Sequence, residues 1–269
     1  MTSDQANTNR GRASGWSAII LAAGKGTRMR SDLPKVVFPV GGRPMVCAVV
    51  DACRAAGVGR VVVIVGYKQE AVREALAGHD VEYAVQSEQL GTGHAVMSAA
   101  ASFEGAGEGE HAFVLCGDGP LIRPSTLLRM RQVHESTGAA ATLATAVIDN
   151  PTGYGRIDRH ADGSFRAIVE HKNCTPEQLA IREVNPSYYG FGVRDLFGAL
   201  RQVRRNPVSN EYYVTDVPEL LLAAGRRVEV IEAVPPEDIL SINTPEDLAE
   251  VDRIYRSRTA GAATSEVTR

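Results

Sequence analysis

Apolar positions in the first half of the chain fall into two kinds of run. Residues 17–23, 60–67, 81–86 and 111–118 form short, nearly continuous apolar stretches, as expected of strands buried on both faces. Between them, 45–57, 68–78, 94–103 and 124–137 repeat apolar residues at helical spacing, and the first two close on Gly57 and Gly78. This alternation predicts an α/β fold: a Rossmann-like, mixed but mostly parallel sheet flanked by helices.

The second half is less regular. Strands are expected over 139–147, twice within 153–171 around a turn at Ala161-Asp162-Gly163, over 183–193 with a bulge near Pro186, and over 228–234. One helix is expected to start behind Asp216 as N-cap. Another spans 244–258, with Thr244 as N-cap, Pro245 in the first position and Asp247 closing the cap. The pattern reads as one domain over 17–258, with a substrate lobe built from the second half. Residues 1–16 and 259–269 read as disordered termini.

Composition narrows the function classes. A 44% hydrophobic chain of 269 residues can bury a real core. A formal net charge of −3 argues against a nucleic-acid-binding surface. No apolar run approaches the roughly 20 residues of a membrane helix, and the polar N-terminus lacks a secretory h-region. Cys47, Cys53, Cys116 and Cys174 form no C-x-x-C pair, which suggests a reducing, cytoplasmic compartment. The six histidines are scattered, against a zinc site.

Chemistry concentrates behind the first strand. LAAGKGTRMRSDLPK (21–35) places Gly24 and Gly26 among Lys25, Arg28, Arg30 and Lys35. The loop at the C-terminal end of a buried parallel strand is where α/β folds bind ligands. Glycines let backbone N–H groups approach a phosphate that the cations neutralise. The Walker pattern is absent, and G-x-G-x-x-G fails at Met29. Asp118 ends an apolar run in the manner of a Mg²⁺ ligand, though Gly-Asp-Gly-Pro is equally good turn chemistry. Gln86, after 81–85, carries an amide able to pair with the N3–H and O4 edge of uracil or thymine, or to be a surface glutamine.

Taken whole, LAAGKGTRM with LPK, QSEQLGTGHAV (86–96), CGDGPLI (116–122), PTGYGRI (151–157), IVEHK (168–172), EVN (183–185), NEYYVTD (210–216) and INTPEDL (242–248) resemble, in order, the blocks of sugar-1-phosphate nucleotidyltransferases. The likeness covers about 17–255. It is nearest to the uridyltransferase domain of the bifunctional N-acetylglucosamine-1-phosphate uridyltransferase/glucosamine-1-phosphate acetyltransferase family. It implies that a sugar 1-phosphate, N-acetylglucosamine 1-phosphate first among candidates, attacks the α-phosphate of UTP, with Mg²⁺, to give a UDP-sugar and pyrophosphate. The first half would then bind nucleotide and the second half sugar. The alternatives are a nucleotidyltransferase of specialised metabolism, using another sugar or cyclitol phosphate or another NTP, and a non-catalytic regulatory protein that binds sugar nucleotides.

By the same resemblance, Arg28 and Lys35 are the catalytic cations. Leu21, Ala22, Ala23, Gly24, Gln86, Gly91, Thr92 and Asp118 would bind nucleotide. Gly155, Glu170, Asn185, Glu211, Tyr213, Thr215 and Asn243 would bind or close over the sugar, and Asp118 with Asn243 would hold the metal. His94 and His171 read as structural or solvent-facing. Three departures fall on the sugar side: Cys116 where the family often has Tyr or Ser, Pro-Ser-Tyr after Asn185, and Asn173 for a common Asp. The hexapeptide rhythm of the family's acetyltransferase β-helix is not seen. Acetyl-CoA chemistry is therefore not expected, and a monomer or homodimer is expected in place of the trimer that the β-helix supports.

Overall fold

In the computed structural model, residues 15–266 are described, apart from Thr27, Arg28, Arg30, Ser241 and Asn243, with backbone alone for 261–266. The strands are β1 (Trp16–Ala22), β2 (Pro39–Val40), β3 (Arg43–Pro44), β4 (Arg60–Val65), β5 (Glu82–Val85), β6 (His111–Cys116), β7 (Ala141–Val147), β8 (Gly155–Arg159), β9 (Phe165–Val169), β10 (Glu183–Gly192) and β11 (Val228–Glu232). The helices are α1 (Met45–Ala55), α2 (Gln69–Ala75), α3 (Thr92–Met97), α4 (Pro124–Thr137), α5 (Pro176–Leu179), α6 (Val193–Leu200), α7 (Val217–Ala223) and α8 (Pro245–Glu266).

The main sheet runs β11-β7-β10-β6-β1-β4-β5, with β8 pairing β10 and β9 pairing β8. The strands β6, β1, β4 and β5 are parallel, whereas β10 lies antiparallel between β6 and β7. Neighbours along the central strands serve opposite cores. Ile20, Val63 and Leu115 pack on one face with α1, α2 and α4, while Ile19, Val62 and Val114 pack on the other with α3, α6 and α7. Burial on both faces explains why these strands show no polar alternation.

The chain leaves β1 towards β4 and β5, then crosses back to place β6 on β1's other side. The C-terminal ends of β1 and β6 therefore lie side by side with connections departing in opposite directions, the crevice where open α/β sheets take ligands. β10 carries the expected bulge, a register shift between Val184 and Tyr188, with Ser187 in the left-handed region at φ 65°.

Some expectations are corrected. Trp16 is buried in β1 and not part of a disordered N-terminus, whose first fourteen residues lie outside the described ones. α8 does not stop at 258 before a disordered tail but continues to Glu266. Arg258 pairs with the buried Asp238, which also holds Arg123, so the helix is anchored at its predicted end and runs on beyond it. The predicted helix at 94–103 breaks into α3 and a 3₁₀ turn over Ala100–Phe103. Asp216 stands at the start of α7, but its side chain makes no capping hydrogen bond. The Thr244–Asp247 cap forms as expected, each backbone N–H donating to the other's side chain.

Candidate active site

The loop after β1 is shaped around Lys35. Gly26 has φ +65°, and a Cβ on it would lie 2.6 Å from Lys35 Cβ, so only glycine lets the two segments meet. Lys35 opens a short 3₁₀ turn behind Pro34, and its Nζ lies 2.8 Å from Asp118 Oδ2. Asp118 comes from the loop after β6, held against β1 where the Gly117 N–H donates to the Leu21 carbonyl at 2.9 Å. Ala22 and Ala23 are buried at the end of β1, and Gly24 is exposed beyond them. Arg28 and Asn243 lie outside the described residues. Lys25 lies 5.4 Å from the ring centroid of Tyr67.

A cleft of about 590 Å³ opens from this pair towards the second half of the chain. Lys35, Cys116, Asp118, Gly155, Glu170 and Asn185 line it, so three of the residues expected on the sugar side share a cleft with the Lys35–Asp118 pair. Glu170 accepts from the Thr215 hydroxyl at 3.0 Å, and burial holds its carboxyl above the usual range. Burial, followed by Glu219 and Glu170, pushes Asp216 up to about 6. Desolvation, with Asp118 adding to it, pushes the Cys116 thiol up to about 12.

Other expected contacts are rearranged. Both ends of the Asn185 amide are engaged internally: Nδ2 donates to Tyr189 Oη at 2.6 Å, and Oδ1 accepts from the Ser187 N–H at 3.1 Å. Glu211 and Tyr213 do not line the cleft. Glu211 pairs with Lys172 at 3.3 Å, and the Tyr213 hydroxyl donates to Ser209. They brace the 206–215 segment instead of facing the cavity. Tyr154, Ser187, Tyr188 and Asp238 do line it; the sequence set Ser187 and Tyr188 among the sugar-side departures but gave none of the four a binding role.

The expected base-recognition block is a second packed unit. Gly91 has φ +98°, and a Cβ there would sit 2.5 Å from the Tyr212 carbonyl oxygen. Gly93 N–H donates to Tyr212 O, Tyr212 N–H donates to Leu90 O, and Thr92 Oγ1 accepts from the Val214 N–H at 3.1 Å. Thr92 thus joins the two blocks. Gln86 is 4% exposed, so it is no surface glutamine. Its Nε2 is 3.1 Å from both the Gly91 carbonyl and His94 Nδ1. His94 is half-buried and has a partner in Gln86, in keeping with the structural one of its two expected readings, and its neighbourhood was visible in sequence only as an adjacent motif.

A domain model described as "MobA-like NTP transferase domain" matches residues 18–206. The chain belongs to that family. It is 46% identical over 243 residues to the "Bifunctional protein GlmU" of Geobacter metallireducens, covering 90% of this chain and 51% of that protein. Proteins of the same name from Exiguobacterium sibiricum and Geobacillus thermodenitrificans match at 48% over 242 and 46% over 241 residues, each across 90% of this chain and 53% and 52% of their own length. The chain spans about half the length of these relatives. The resemblance read from the ordered sequence blocks is borne out, and the chain stands among nucleotidyltransferases. Among the described residues, no helix is long and apolar enough to cross a membrane.

Proposed function

We propose that this chain is a nucleotidyltransferase that joins a sugar 1-phosphate, N-acetylglucosamine 1-phosphate first among candidates, to UTP. The observation that carries this reading is the Lys35–Asp118 pair at 2.8 Å over the β1/β6 crevice, facing Glu170 and Asn185 across one cleft. A phosphate monoester is largely dianionic near pH 7 and needs no general base. Its oxygen bonds to the α-phosphorus of the nucleotide as the bond to the β-phosphate oxygen breaks, and pyrophosphate leaves with those electrons. The barrier is the approach of two anions, so catalysis is positioning and charge neutralisation. Lys35 releases Asp118 to meet the attacking and α-phosphates, and Arg28 is assigned to the β/γ end.

Mg²⁺ is part of the proposal. Asp118 offers a hard oxygen donor, 35% exposed to the cleft, and one carboxylate with phosphate oxygens and water suits this ion. Among the described residues, no group of three or more His, Cys, Asp or Glu side chains is arranged to hold a metal, so the nucleotide must supply most of the coordination. Asp118 would hold the ion, with Asn243 assigned as second ligand. The bound ion would neutralise charge gathering on the departing pyrophosphate.

A second reading keeps the reaction and changes the acceptor to another sugar or a cyclitol phosphate. The Asn185 amide favours it, because one of its hydrogens is spent on Tyr189 and one oxygen lone pair on Ser187, which leaves a single donor and a single acceptor position to greet a sugar. Pyrophosphate release measured over a matrix of five nucleoside triphosphates and a panel of sugar and cyclitol phosphates tests both readings. Release with UTP and N-acetylglucosamine 1-phosphate supports the first, release with another acceptor alone supports the second, and no release with any pair overturns both.

A further inference from the structure

Gln86 sits at the C-terminal end of β5, where its backbone N–H donates to Val65 O. Its side-chain orientation follows from hydrogen-bond arithmetic. A carbonyl oxygen only accepts, so the group facing Gly91 O must be the amide NH₂. The second hydrogen of that NH₂ faces His94 Nδ1, which must then accept and carry the ring proton on Nε2. Both hydrogens are spent within the protein. The polar atom left to a base is Oε1, an acceptor, and not the adjacent donor–acceptor pair that the sequence suggested.

We propose that His94 is a positioning residue for base choice: by accepting from Gln86 Nε2 it locks the amide so that Oε1 faces the nucleotide base. The inference rests on the nucleotidyl-transfer reading above. One anchor, Gly91 O, would leave the amide free to swing about that single contact, whereas two fix its plane. His94 is itself fixed. It lies on α3, whose Gly93 N–H is tied to Tyr212 O, and its ring stacks near that of Tyr212, centroids 6.3 Å apart. Uracil brings N3–H, a donor, to Oε1. Cytosine brings an unprotonated N3, so two acceptors face each other. Flipping the amide to suit cytosine would instead turn Oε1 onto the Gly91 carbonyl, acceptor against acceptor, and would require His94 to move its ring proton to Nδ1. A site built on such hydrogen bonds rejects the mismatched ligand strongly.

The test compares kcat/KM for UTP and CTP, with one accepted sugar phosphate, in the unaltered protein, His94→Asn, His94→Leu and His94→Ala. Asn Oδ1 occupies the place of imidazole Nδ1 and can accept, whereas Leu has the same branching without an acceptor. Both lose the ring contact with Tyr212 alike. The UTP-over-CTP ratio is expected to fall about tenfold in His94→Leu, the size of one buried hydrogen bond, and to stay near the original in His94→Asn. His94→Ala is expected to match His94→Leu and provides that arm should the leucine variant fail to fold. If UTP and CTP rates fall together with the ratio unchanged in Leu and Ala, His94 is structural and the proposal is overturned. If the asparagine variant loses the ratio as fully as leucine, the acceptor is not what matters, and it is again overturned. An unaltered protein that uses neither UTP nor any other triphosphate overturns the functional reading instead.

Discussion

The Lys35 ammonium lies 2.8 Å from the Asp118 carboxylate, joining the loops that leave β1 and β6 on opposite sides of the sheet's switch point. A pair whose carboxylate is one-third exposed contributes little to folding, about 1 kcal/mol or less. Its value lies in where it holds an ammonium and a carboxylate, both facing the cleft. Under the proposed reading, Lys35, only 16% exposed, is shielded enough from water for its charge to act on a phosphate.

Lys35→Ala is expected to reduce kcat by about a hundredfold, roughly 3 kcal/mol of lost transition-state stabilisation, with a smaller effect on nucleotide binding. Steady-state kinetics beside nucleotide titration separates the two. A near-normal kcat removes Lys35 from the reaction.

Asp118→Asn is expected to abolish most activity while leaving the thermal midpoint nearly unchanged, because the pair it breaks is partly exposed. Activity in the unaltered protein should vanish with excess EDTA and return with Mg²⁺. Full activity in EDTA defeats the metal assignment, and a large loss of midpoint would give Asp118 a turn-forming role.

Gly91→Ala meets two penalties: a φ of +98° and a Cβ 2.5 Å from the Tyr212 carbonyl oxygen. We expect a destabilisation of about 2 kcal/mol or more, with KM for nucleotide raised as the Gln86 anchor shifts. Chemical denaturation and KM on one preparation check both, and an unchanged denaturation midpoint contradicts the close packing.

Stability should fall with acid through His134. This side chain is 1% exposed, contacts Thr142 Oγ1 at 3.0 Å and His111 Nδ1 at 3.1 Å, and burial lowers its pKa to about 4, with His111 adding to the effect and Glu135 opposing it. A histidine whose folded pKa lies below its unfolded value of about 6.5 stabilises fully above the unfolded pKa. That contribution is lost as pH falls from about 6.5 towards 4, and amounts to about 2 kcal/mol between pH 7 and 5. His111, whose pKa burial also lowers, acts with the same sign. Denaturation curves at pH 7 and 5 for the unaltered protein and His134→Leu should show a smaller pH loss in the variant. Equal losses would place the acid sensitivity elsewhere.

Among triphosphates we expect UTP above dTTP by tenfold to about a couple of hundredfold, since a methyl is weakly rejected, with CTP, ATP and GTP much poorer. Comparing kcat/KM for the five tests the role of Gln86, and a preference for GTP or ATP would remove it from base recognition.

Much of this protein was legible in its sequence because burial leaves local marks. Two-faced burial wrote Ile19-Ile20, Val62-Val63 and Val114-Leu115 as continuous apolar runs. A left-handed turn wrote itself as Gly57 behind α1, whereas α2 ends at Ala75, short of the expected stop at Gly78. The phosphate-side loop was legible because close backbone approach demands glycine at 26, and so was the cap at Thr244–Asp247. What tertiary structure decided were the relationships between distant segments. Lys35 and Asp118 become partners only because β6 returns to the far side of β1. Asn185 has its amide tied to Tyr189 and Ser187 at the β10 bulge, and Glu211 and Tyr213 do not line the cleft. The roles of Gln86 and His94 depend on which hydrogen bonds the fold has already satisfied. Residue type fixes what a side chain can donate or accept, and only packing fixes which of those groups remain for a ligand.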